Sequence, residues 1–451
     1  MRTTWVAWLA VGVAAAACSE PYAPAEDTAI LDPPPAGAAP SAPAPTTGAP
    51  PPTTPPAPAR APIVEVRTLH RAHRAMTEMF GGWGPHLGHL VRRRTTNADE
   101  LLFVDDACDP ATCNVAKNER VDVLRLQGGT WTKIAQIGLG EGVQQNTAAV
   151  LAGDEIHVYG VDAAARRVKQ CSKNLAFIGE LCLDIPIPLG ANANYVGAAV
   201  SPKGHRMVWY TNVGEGGGGS FSFLVNYGSG WNGPRSGSIG GYGDASYVNV
   251  AFGHGGDPDR FRMHGQLVSG LAPNWSFTAG DGEGSIAAAD GAVRWSTPFA
   301  PPTGDDVIST NDIVIDPVWG DTHVIARTRS GAAAYYFAPR GGAFGAATKV
   351  FPGAYRARFV MLEDGTLVLA HGVKQRGLTI RTLPRDRRAQ GVAARWEAAG
   401  EVVPSLPAGY EDIVAIYPES SVYQTAAVRS VELALVGSAR QNEVVHVSAK
   451  Y

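Results

Sequence analysis

Apolar and polar positions alternate in short runs over most of the chain. Val, Ile, Tyr and Phe gather in stretches of about four to eight residues that Gly, Asp, Asn and Pro interrupt, and helical periodicity is nearly absent after residue 80. Residues 147–151, a turn at Gly153-Asp154 and residues 156–159 form a representative unit. This pattern predicts a β-hairpin with a tight turn, so we expect the chain to be all-β.

The hairpin unit recurs along the chain. Its copies begin near residues 89, 147, 195, 247, 312, 358 and 412, at intervals of about 45 to 65 residues. Several copies continue into a second hairpin with Gly and an aromatic residue at its turn, as in Gly128-Gly129-Thr130-Trp131. Four antiparallel strands per unit, repeated around a ring, are typical of a β-propeller, and seven blades fill nearly the whole domain. A two-domain β-sandwich is the alternative, disfavoured by the even repeat and the lack of a second linker.

The two ends of the propeller domain are expected to meet. The last unit supplies three strands, ending with residues 443–448, and residues 63–66 form an isolated strand-like run before the first unit. Pairing this first strand into the last blade would protect an otherwise exposed sheet edge. A short helix over residues 69–80 is a competing interpretation, which leaves the placement of residues 63–66 open.

The N-terminus carries the features of an export signal. Arg2 provides a positive charge, residues 6–17 are apolar, and small residues lead into Cys18, so residues 1–17 are predicted to be a signal peptide too short to span a membrane. Ala15-Ala16-Ala17-Cys18 resembles the lipobox of bacterial lipoproteins, in which the cysteine is acylated. Ala15 departs from the Leu that this motif prefers, and plain secretion with cleavage near Ala17 is the alternative.

The resemblance implies that Cys18 anchors the protein to a lipid bilayer at the cell envelope. Ser19 is not the Asp of an inner-membrane retention signal, which favours the outer membrane. Residues 18–62 are almost entirely Pro, Ala, Thr and Gly after the cysteine, so we expect a disordered linker. Residues 63–451 then make up the propeller domain.

Charge and cysteine content narrow the function. The formal net charge is −3 and no basic run stands out, which disfavours nucleic acid as a partner. We also expect the protein to be a monomer. Cys108 with Cys113 and Cys171 with Cys182 form two close pairs that predict disulfides in an exported chain. A metal site is the weaker alternative, because neither pair has CxxC spacing. No cofactor is predicted, apart from a structural calcium hypothesis at Asp105, Asp106 and Asp109.

The hairpin that ends in Gly128-Gly129-Thr130-Trp131 resembles the Asp-box of sialidase-like propellers, which runs roughly Ser-x-Asp-x-Gly-x-x-Trp. The Ser and Asp are missing here, and no other unit has a full box. The resemblance covers the architecture of the domain. It assigns none of the residues that sialidases use, which are three arginines and a Tyr–Glu pair.

Propeller topology predicts which residues surround the mouth of the central channel. They stand on the loops just before each inner strand or just after the second strand of a blade. Binding and catalytic sites usually lie on such loops. The candidates for binding a ligand are Trp83, His89, Tyr195, Tyr242, Asn311, Tyr355 and Tyr410. The candidates for catalysis are His86, His157, Tyr159, Tyr210, His264, Arg327 and His371.

Two classes of function follow from these candidates. In the first, the propeller binds an extracellular glycan or protein at its channel face without catalysis. In the second, it is a surface carbohydrate-active enzyme, either a polysaccharide lyase or a sialidase-like glycosidase. In a lyase, Arg327 or Arg262 would bind a uronate carboxylate and a His–Tyr pair would move the proton, an analogy drawn from the fold alone. A structural role is the more common one for each individual histidine, and Tyr and Trp at the ends of inner strands are common packing residues.

Overall fold

The fold was determined from a computed structural model of the chain. It describes residues 62–71, 89–95, 98–107, 120–140, 143, 147–162, 165–176, 179–186, 193–212, 220–238, 244–269, 276–287, 293–296, 299–302, 304–362, 365–384, 396, 401–419 and 430–451. The predicted signal peptide, Cys18 and the predicted linker lie outside these residues, except for Pro62 at the end of the linker. In the part of the chain described, no helix is long and apolar enough to span a membrane.

The chain forms seven antiparallel sheets of four strands each, the predicted seven-bladed β-propeller. Blade 1 contains β2 (Leu90–Thr95), β3 (Ala98–Ala107), β4 (Arg120–Gln127) and β5 (Thr130–Gly138). Blade 2 contains β6 (Ala148–Ala152), β7 (Glu155–Asp162), β8 (Arg167–Asn174) and β9 (Glu180–Pro186). Blade 3 contains β10 (Ala193–Val200), β11 (Arg206–Asn212), β12 (Ser220–Asn226) and β13 (Trp231–Ser238). Blade 4 contains β14 (Asp244–Phe252), β15 (Arg260–Ser269), β16 (Ser276–Ser285) and β17 (Arg294–Ser296). Blade 5 contains β18 (Val307–Ile315), β19 (Thr322–Thr328), β20 (Ala333–Ala338) and β21 (Lys349–Phe351). Blade 6 contains β22 (Ala354–Met361), β23 (Leu367–Val373), β24 (Gly377–Leu383) and β25 (Glu401–Val402). Blade 7 contains β26 (Ile413–Pro418), β27 (Ser430–Gly437), β28 (Arg440–Lys450) and β1 (Ile63–Arg71).

The first strand of the domain completes the last blade, as the sequence predicts. β1 pairs with β28 from Ile63 opposite Lys450 to Arg71 opposite Glu443. The alternative of a helix beginning at residue 69 is wrong for residues 69–71, because their backbone is used in this ladder; residues 72–80 lie outside the described chain. A parallel bridge joins Leu90, at the start of β2, to Glu419, the residue that follows β26.

The hydrophobic core is divided among the interfaces between blades. Between blades 5 and 6, for example, Tyr335, Phe351, Phe359 and Trp396 belong to one buried cluster. Burying a large apolar side chain contributes roughly 1.5–3 kcal/mol, so each blade depends on its neighbours for stability. Because each blade packs between two neighbours, strands such as β7 and β27 are buried on both sides, whereas the outer strands β5 and β9 are largely exposed.

The strand order defines two faces of the ring. Each inner strand begins at what we term the front face, turns at the back face, and its partner returns to the front face. Register shifts interrupt several inner ladders near the front face, including β18 between Thr310 and Asp312 and β22 between Tyr355 and Arg358. Such β-bulges re-aim the side chains that follow them.

The cysteine prediction is confirmed for one pair. Cys171 and Cys182 lie directly opposite each other in β8 and β9 and form a disulfide. The Cys108–Cys113 pair lies outside the described residues. Of the three residues in the calcium hypothesis, Asp105 is fully buried in β3 opposite Asp122, Asp106 is the next residue of that strand, and Asp109 is outside the described chain.

Candidate functional site

Several residues predicted to surround the channel mouth lie beyond the described structure. Trp83, His86 and Tyr242 are outside the described residues, and for Tyr195 only the backbone, in β10, is described. The other candidates fall into two groups: most are packed in the interior of the propeller, whereas Arg327 and His371 lie at or near a cleft on the front face, Arg327 exposed and His371 only 2% exposed.

His157 and Tyr159, one of the predicted proton-transfer pairs, lie two residues apart in β7 at a buried interface between blades 2 and 3. His157 is 2% exposed and Tyr159 is fully buried. Nη1 of Arg206, from blade 3, lies 2.7 Å from Nδ1 of His157, and the Trp231 ring packs edge-on against Tyr159 at 5.9 Å. Burial, helped by the Arg206 charge, lowers the pKa of His157 to about 3. The pair is therefore neutral but covered by blade 3.

The remaining buried candidates occupy core positions. Tyr210 and His264 are fully buried, and the His264 ring lies 4.5 Å from that of Phe299. His89 is 1% exposed and its Nδ1–H donates to the carbonyl of Val104, while Tyr410 donates its hydroxyl to Glu443 O. Asn311 is also buried. Tyr355 is half-buried and its hydroxyl accepts the N–H of Ile413.

Arg262, one of the two arginines considered for a carboxylate ligand, already has a carboxylate partner. Its Nε and Nη2 donate to the two oxygens of Asp281 at 2.9 and 2.8 Å, and its guanidinium lies 4.0 Å from the ring centre of Phe344 in blade 5. This bidentate geometry is the strong form of an arginine–carboxylate pair. The Asp281 carboxylate thus holds the place that a ligand's carboxylate would take.

A cleft of about 240 Å³ opens on the front face between the outer strand of blade 5 and strands β23 to β25 of blade 6. We term it the blade 5–6 groove. Its walls include one of the predicted catalytic candidates, His371, and none of the lining residues belongs to an inner strand. The lining consists of Lys349, Val350, Phe351, Pro352, His371, Val373, Arg376, Arg381, Trp396 and Glu401.

A tight turn between β23 and β24 presents Arg376 to the groove. The turn is anchored to blade 7, because Asp412 Oδ1 accepts the N–H of Gln375 at 2.9 Å and the Glu411 carbonyl accepts that of Gly377 at 2.8 Å. Gly377 has a φ of +75°, and a Cβ there would meet the carbonyl of Tyr410 at 3.1 Å. The turn therefore requires glycine at this position, and Arg376 is exposed on a rigid support.

Arg381 is held on three sides. Its Nε–H donates to Nε2 of His371 at 3.2 Å, its Nη2 lies 2.8 Å from Glu401 Oε2, and its guanidinium carbon lies 5.4 Å from the ring centre of Phe351. The Nδ1–H of His371 donates to the carbonyl of Gly372 at 3.2 Å. Burial is the main cause that lowers the pKa of His371 to about 4, so the ring is neutral at ordinary pH and accepts the arginine's hydrogen bond.

Arg327, the second arginine considered for a carboxylate ligand, lies on the same side of blade 5 as the groove. It pairs with Ala333, which pairs with Phe351, so the three form one row across the sheet. Side chains of such a row project from one side of a sheet, and Phe351 packs against Trp396 of blade 6. The Arg327 side chain is exposed and has no hydrogen-bond or ion-pair partner among the described residues.

The charge of the groove is positive. Lys349, Arg376 and Arg381 oppose the single carboxylate of Glu401 among the described lining residues, and the exposed Arg327 lies outside the lining on the same side of blade 5. Convergent cations of this kind bind carboxylate, sulfate or phosphate groups. The sequence pattern predicts Arg327 and His371 as candidates but not Lys349, Arg376, Arg381 or Glu401. Lys349, Arg381 and Glu401 stand on third or fourth strands, which a prediction from the ends of the first two strands does not cover, whereas Arg376 lies in the turn that follows the second strand β23.

Comparisons with known proteins identify no family, because no protein-family model and no curated protein matches this chain. Solved structures do resemble it. A protein of unknown function from Dyadobacter fermentans is 12% identical with a TM-score of 0.44, covering 86% of this chain and 99% of that one. The polysaccharide lyase Uly1 is 10% identical with a TM-score of 0.48, over 80% of this chain and 89% of that one. A putative 6-phosphogluconolactonase from Bacteroides uniformis is 12% identical with a TM-score of 0.45, over 71% and 86% of the two chains. At these identities the likeness is one of fold, and any function has to be argued from this chain's own residues.

Proposed function

We propose that this propeller binds an extracellular glycan through the glycan's anionic groups, without catalysis, and that the blade 5–6 groove is the binding site. One observation carries the proposal: Arg381 is fixed by His371, Glu401 and Phe351 at the wall of an open cleft that also contains Lys349 and Arg376. A guanidinium that is already oriented loses little side-chain entropy when it binds an anion.

The state of His371 favours binding over a lyase reaction. A general base needs a ring nitrogen with a lone pair facing the substrate. In His371 the Nε2 lone pair accepts the Arg381 hydrogen bond, and Nδ1 carries the proton that is donated to Gly372. Both nitrogens are therefore engaged, and the ring serves to orient Arg381.

A lyase remains the second candidate, because a low-pKa histidine beside arginines is also what proton abstraction next to a uronate carboxylate would use. Substrate binding at Arg381 would have to break its bond to His371 and expose Nε2. The two candidates differ in product: a lyase forms an unsaturated uronate that absorbs near 235 nm, whereas a binding protein leaves the polymer intact.

The test is a titration of the full chain with polygalacturonate, the same polymer after carboxyl reduction, dextran sulfate and polyglutamate. We expect binding to polygalacturonate that weakens with added salt, no binding to the reduced polymer, and no rise in absorbance. Arg376→Gln should weaken binding about 3- to 5-fold, the effect of an exposed ion pair worth up to about 1 kcal/mol.

Arg166→Gln is the matched control, since Arg166 is an exposed arginine in the corresponding turn of blade 2, between β7 and β8. Equal losses in both variants would show a general charge effect and overturn the assignment to the groove. Absorbance that grows with time would replace binding by the lyase. Binding to polyglutamate alone would make the ligand an acidic protein.

A further inference from the structure

Glu401 is the only carboxylate among the described residues that line the blade 5–6 groove. It belongs to β25, which pairs with β24 through two residues, Glu401 opposite Arg381 and Val402 opposite Ile380. The Glu401 side chain is 38% exposed, whereas His371, which lines the same cleft, is buried. A ligand in the cleft can therefore reach this carboxylate directly.

The bond to Arg381 leaves most of this carboxylate available. Oε2 of Glu401 lies 2.8 Å from Nη2 of Arg381, and no other hydrogen-bond partner of the carboxylate lies within the described chain. An ionised carboxylate offers about four acceptor positions. Glu401 can therefore hold Arg381 and accept further hydrogen bonds from a ligand at the same time.

A carboxylate placed among cations makes the groove selective. It repels every anionic ligand, so the binding of a plain polyanion to Lys349, Arg376 and Arg381 is opposed in the same cleft. A ligand that also carries hydroxyl groups can donate them to Glu401, and a hydrogen bond to an ionised acceptor is roughly twice as strong as one between neutral groups. The cleft measures about 240 Å³, below the roughly 300–1,000 Å³ of sites for drug-sized ligands, so an anion bound inside it lies close to Glu401.

We propose that Glu401 is a specificity-determining residue of the groove, and that its carboxylate accepts hydroxyl groups of the sugar unit whose own carboxylate binds the groove cations. The proposal rests on the function proposed above and narrows the ligand to hydroxyl-bearing anions, the class to which uronates belong. An acidic peptide such as polyglutamate meets the same repulsion and has no hydroxyl group to donate. Glu401 thus separates a uronate glycan from an acidic protein, which charge alone does not do.

The test uses two probes with three carboxylates each, trigalacturonate and N-acetylated, C-amidated triglutamate, and the full chain should bind the sugar more tightly. Glu401→Gln keeps an amide oxygen that can accept the Arg381 N–H but removes the negative charge. We expect the variant to bind the peptide about 3- to 5-fold more tightly, the removal of up to about 1 kcal/mol of repulsion. Affinity for trigalacturonate should stay within about twofold, because the weaker hydrogen bond from hydroxyl to amide offsets the relief of repulsion.

Asp184→Asn is the matched control. Asp184 lies on the outer strand β9 of blade 2 and pairs with Arg167 of the third strand β8 at 2.5 Å, outside the groove lining. The same loss of charge there should leave the ratio of the two affinities unchanged. If Glu401→Gln weakens the binding of both probes equally, Glu401 only supports Arg381, and if it strengthens both equally, Glu401 only repels anions. Either result overturns the proposed role and leaves the groove proposal standing.

A second measurement changes the ligand instead of the protein. Trigalacturonate methylated at its hydroxyl groups keeps the three carboxylates but has no hydroxyl to donate. The wild-type chain should bind it about 3- to 10-fold more weakly than trigalacturonate, the effect of a lost hydrogen bond, and this difference should be clearly smaller in Glu401→Gln. A difference of the same size in both proteins overturns hydrogen bonding to Glu401. Absence of trigalacturonate binding to the wild-type chain overturns the groove proposal itself.

Discussion

Arg381 donates its Nε–H to Nε2 of His371 across 3.2 Å, and this bond joins the third strand of blade 6 to the second. Because His371 also donates through Nδ1 to Gly372, its ring orientation and tautomer are both determined by the protein. The imidazole therefore acts on a ligand through the arginine, as a positioning residue.

This relationship predicts different effects for two substitutions of His371. Leucine removes the acceptor, so Arg381 loses one of its supports and trigalacturonate should bind about 3- to 10-fold more weakly. Glutamine supplies an amide oxygen that can accept the same N–H, and affinity should stay within about twofold of wild type. Affinities from calorimetry check both. If the two variants bind equally weakly, then His371 does more than orient Arg381.

Because several histidines are buried as neutral rings, we expect acid to destabilise the fold. Burial lowers the pKa of His89 to about 4, of His157 to about 3 and of His371 to about 4, below the ordinary value of 6.5. A pKa lowered in the folded state means that the unfolded chain binds protons first. The stabilisation is complete above pH 6.5 and is lost as pH falls toward 4, by up to about 1.4 kcal/mol per pH unit for each histidine.

Urea unfolding at pH 7.5 and pH 5 measures this loss. The wild-type free energy of unfolding should be clearly lower at pH 5, and His371→Gln should show a smaller difference between the two pH values. Equal stability at both pH values would mean that these rings are not buried as neutral groups.

We expect the buried carboxyl group of Asp312 to make the opposite contribution to the pH dependence of stability. Burial raises its pKa to about 6, against the opposing effect of Arg358, and its carboxylate accepts the N–H groups of Ile313 and Phe359, both at 2.8 Å. An asparagine side chain at this position would turn an amide NH₂ toward one of these donors. Asp312→Asn should therefore cost about 1–3 kcal/mol.

The size of this cost should depend on pH. Since the folded pKa of Asp312 is raised, its contribution is greatest below the unfolded value and declines as pH rises through about 6. The variant should be most destabilised at pH 5 and less so at pH 8, as urea unfolding would show. Asp306→Asn, at an exposed residue paired with Arg329, should change stability by less than about 0.5 kcal/mol. A cost for Asp312→Asn that grows with pH would contradict the raised pKa.

The fold was predictable because its signals are local. A hairpin such as β6–β7 is specified by apolar runs and the Gly153-Asp154 turn between them, and seven such units leave a propeller as the natural arrangement. The groove has no local signal. Lys349 and Glu401 lie on outer strands of different blades, and Trp396 stands in the chain between β24 and β25, outside the repeated hairpin unit.

Residue type alone also does not distinguish a functional residue from a residue of the buried core. His157 and Tyr159 have the types and positions expected of a catalytic pair, yet Arg206 and Trp231 of the next blade cover them. Whether a polar residue beside an inner strand meets solvent or the neighbouring blade depends on that blade's side chains. A sequence read one blade at a time does not contain this information.

The closure of the ring predicts a large effect of substitutions in β1. Val66 pairs with Val447 and packs against the core cluster shared by blades 6 and 7, whereas Ile63, in the same strand, is 69% exposed. Val66→Asp should cost about 2–4 kcal/mol, because it brings a charge into an apolar interface. Ile63→Asp should change stability by less than about 0.5 kcal/mol. Similar losses in the two variants, measured by urea unfolding, would contradict the placement of β1 in blade 7.

The prediction at Cys18 concerns where the propeller is held. If the lipobox-like Ala15-Ala16-Ala17-Cys18 directs acylation, the cysteine is the membrane attachment, and Cys18→Ser should move the protein from the membrane fraction to the soluble fraction of an expressing bacterium. A single acyl chain binds a bilayer only marginally, so stable retention requires more than one chain on this cysteine. Metabolic labelling with a fatty-acid analogue should mark the wild type and not the variant, and Cys182→Ser, which breaks the disulfide instead, is the control that should keep the label. A soluble, unlabelled wild-type protein would establish plain secretion with cleavage near Ala17, and the groove would then act on glycans away from the membrane.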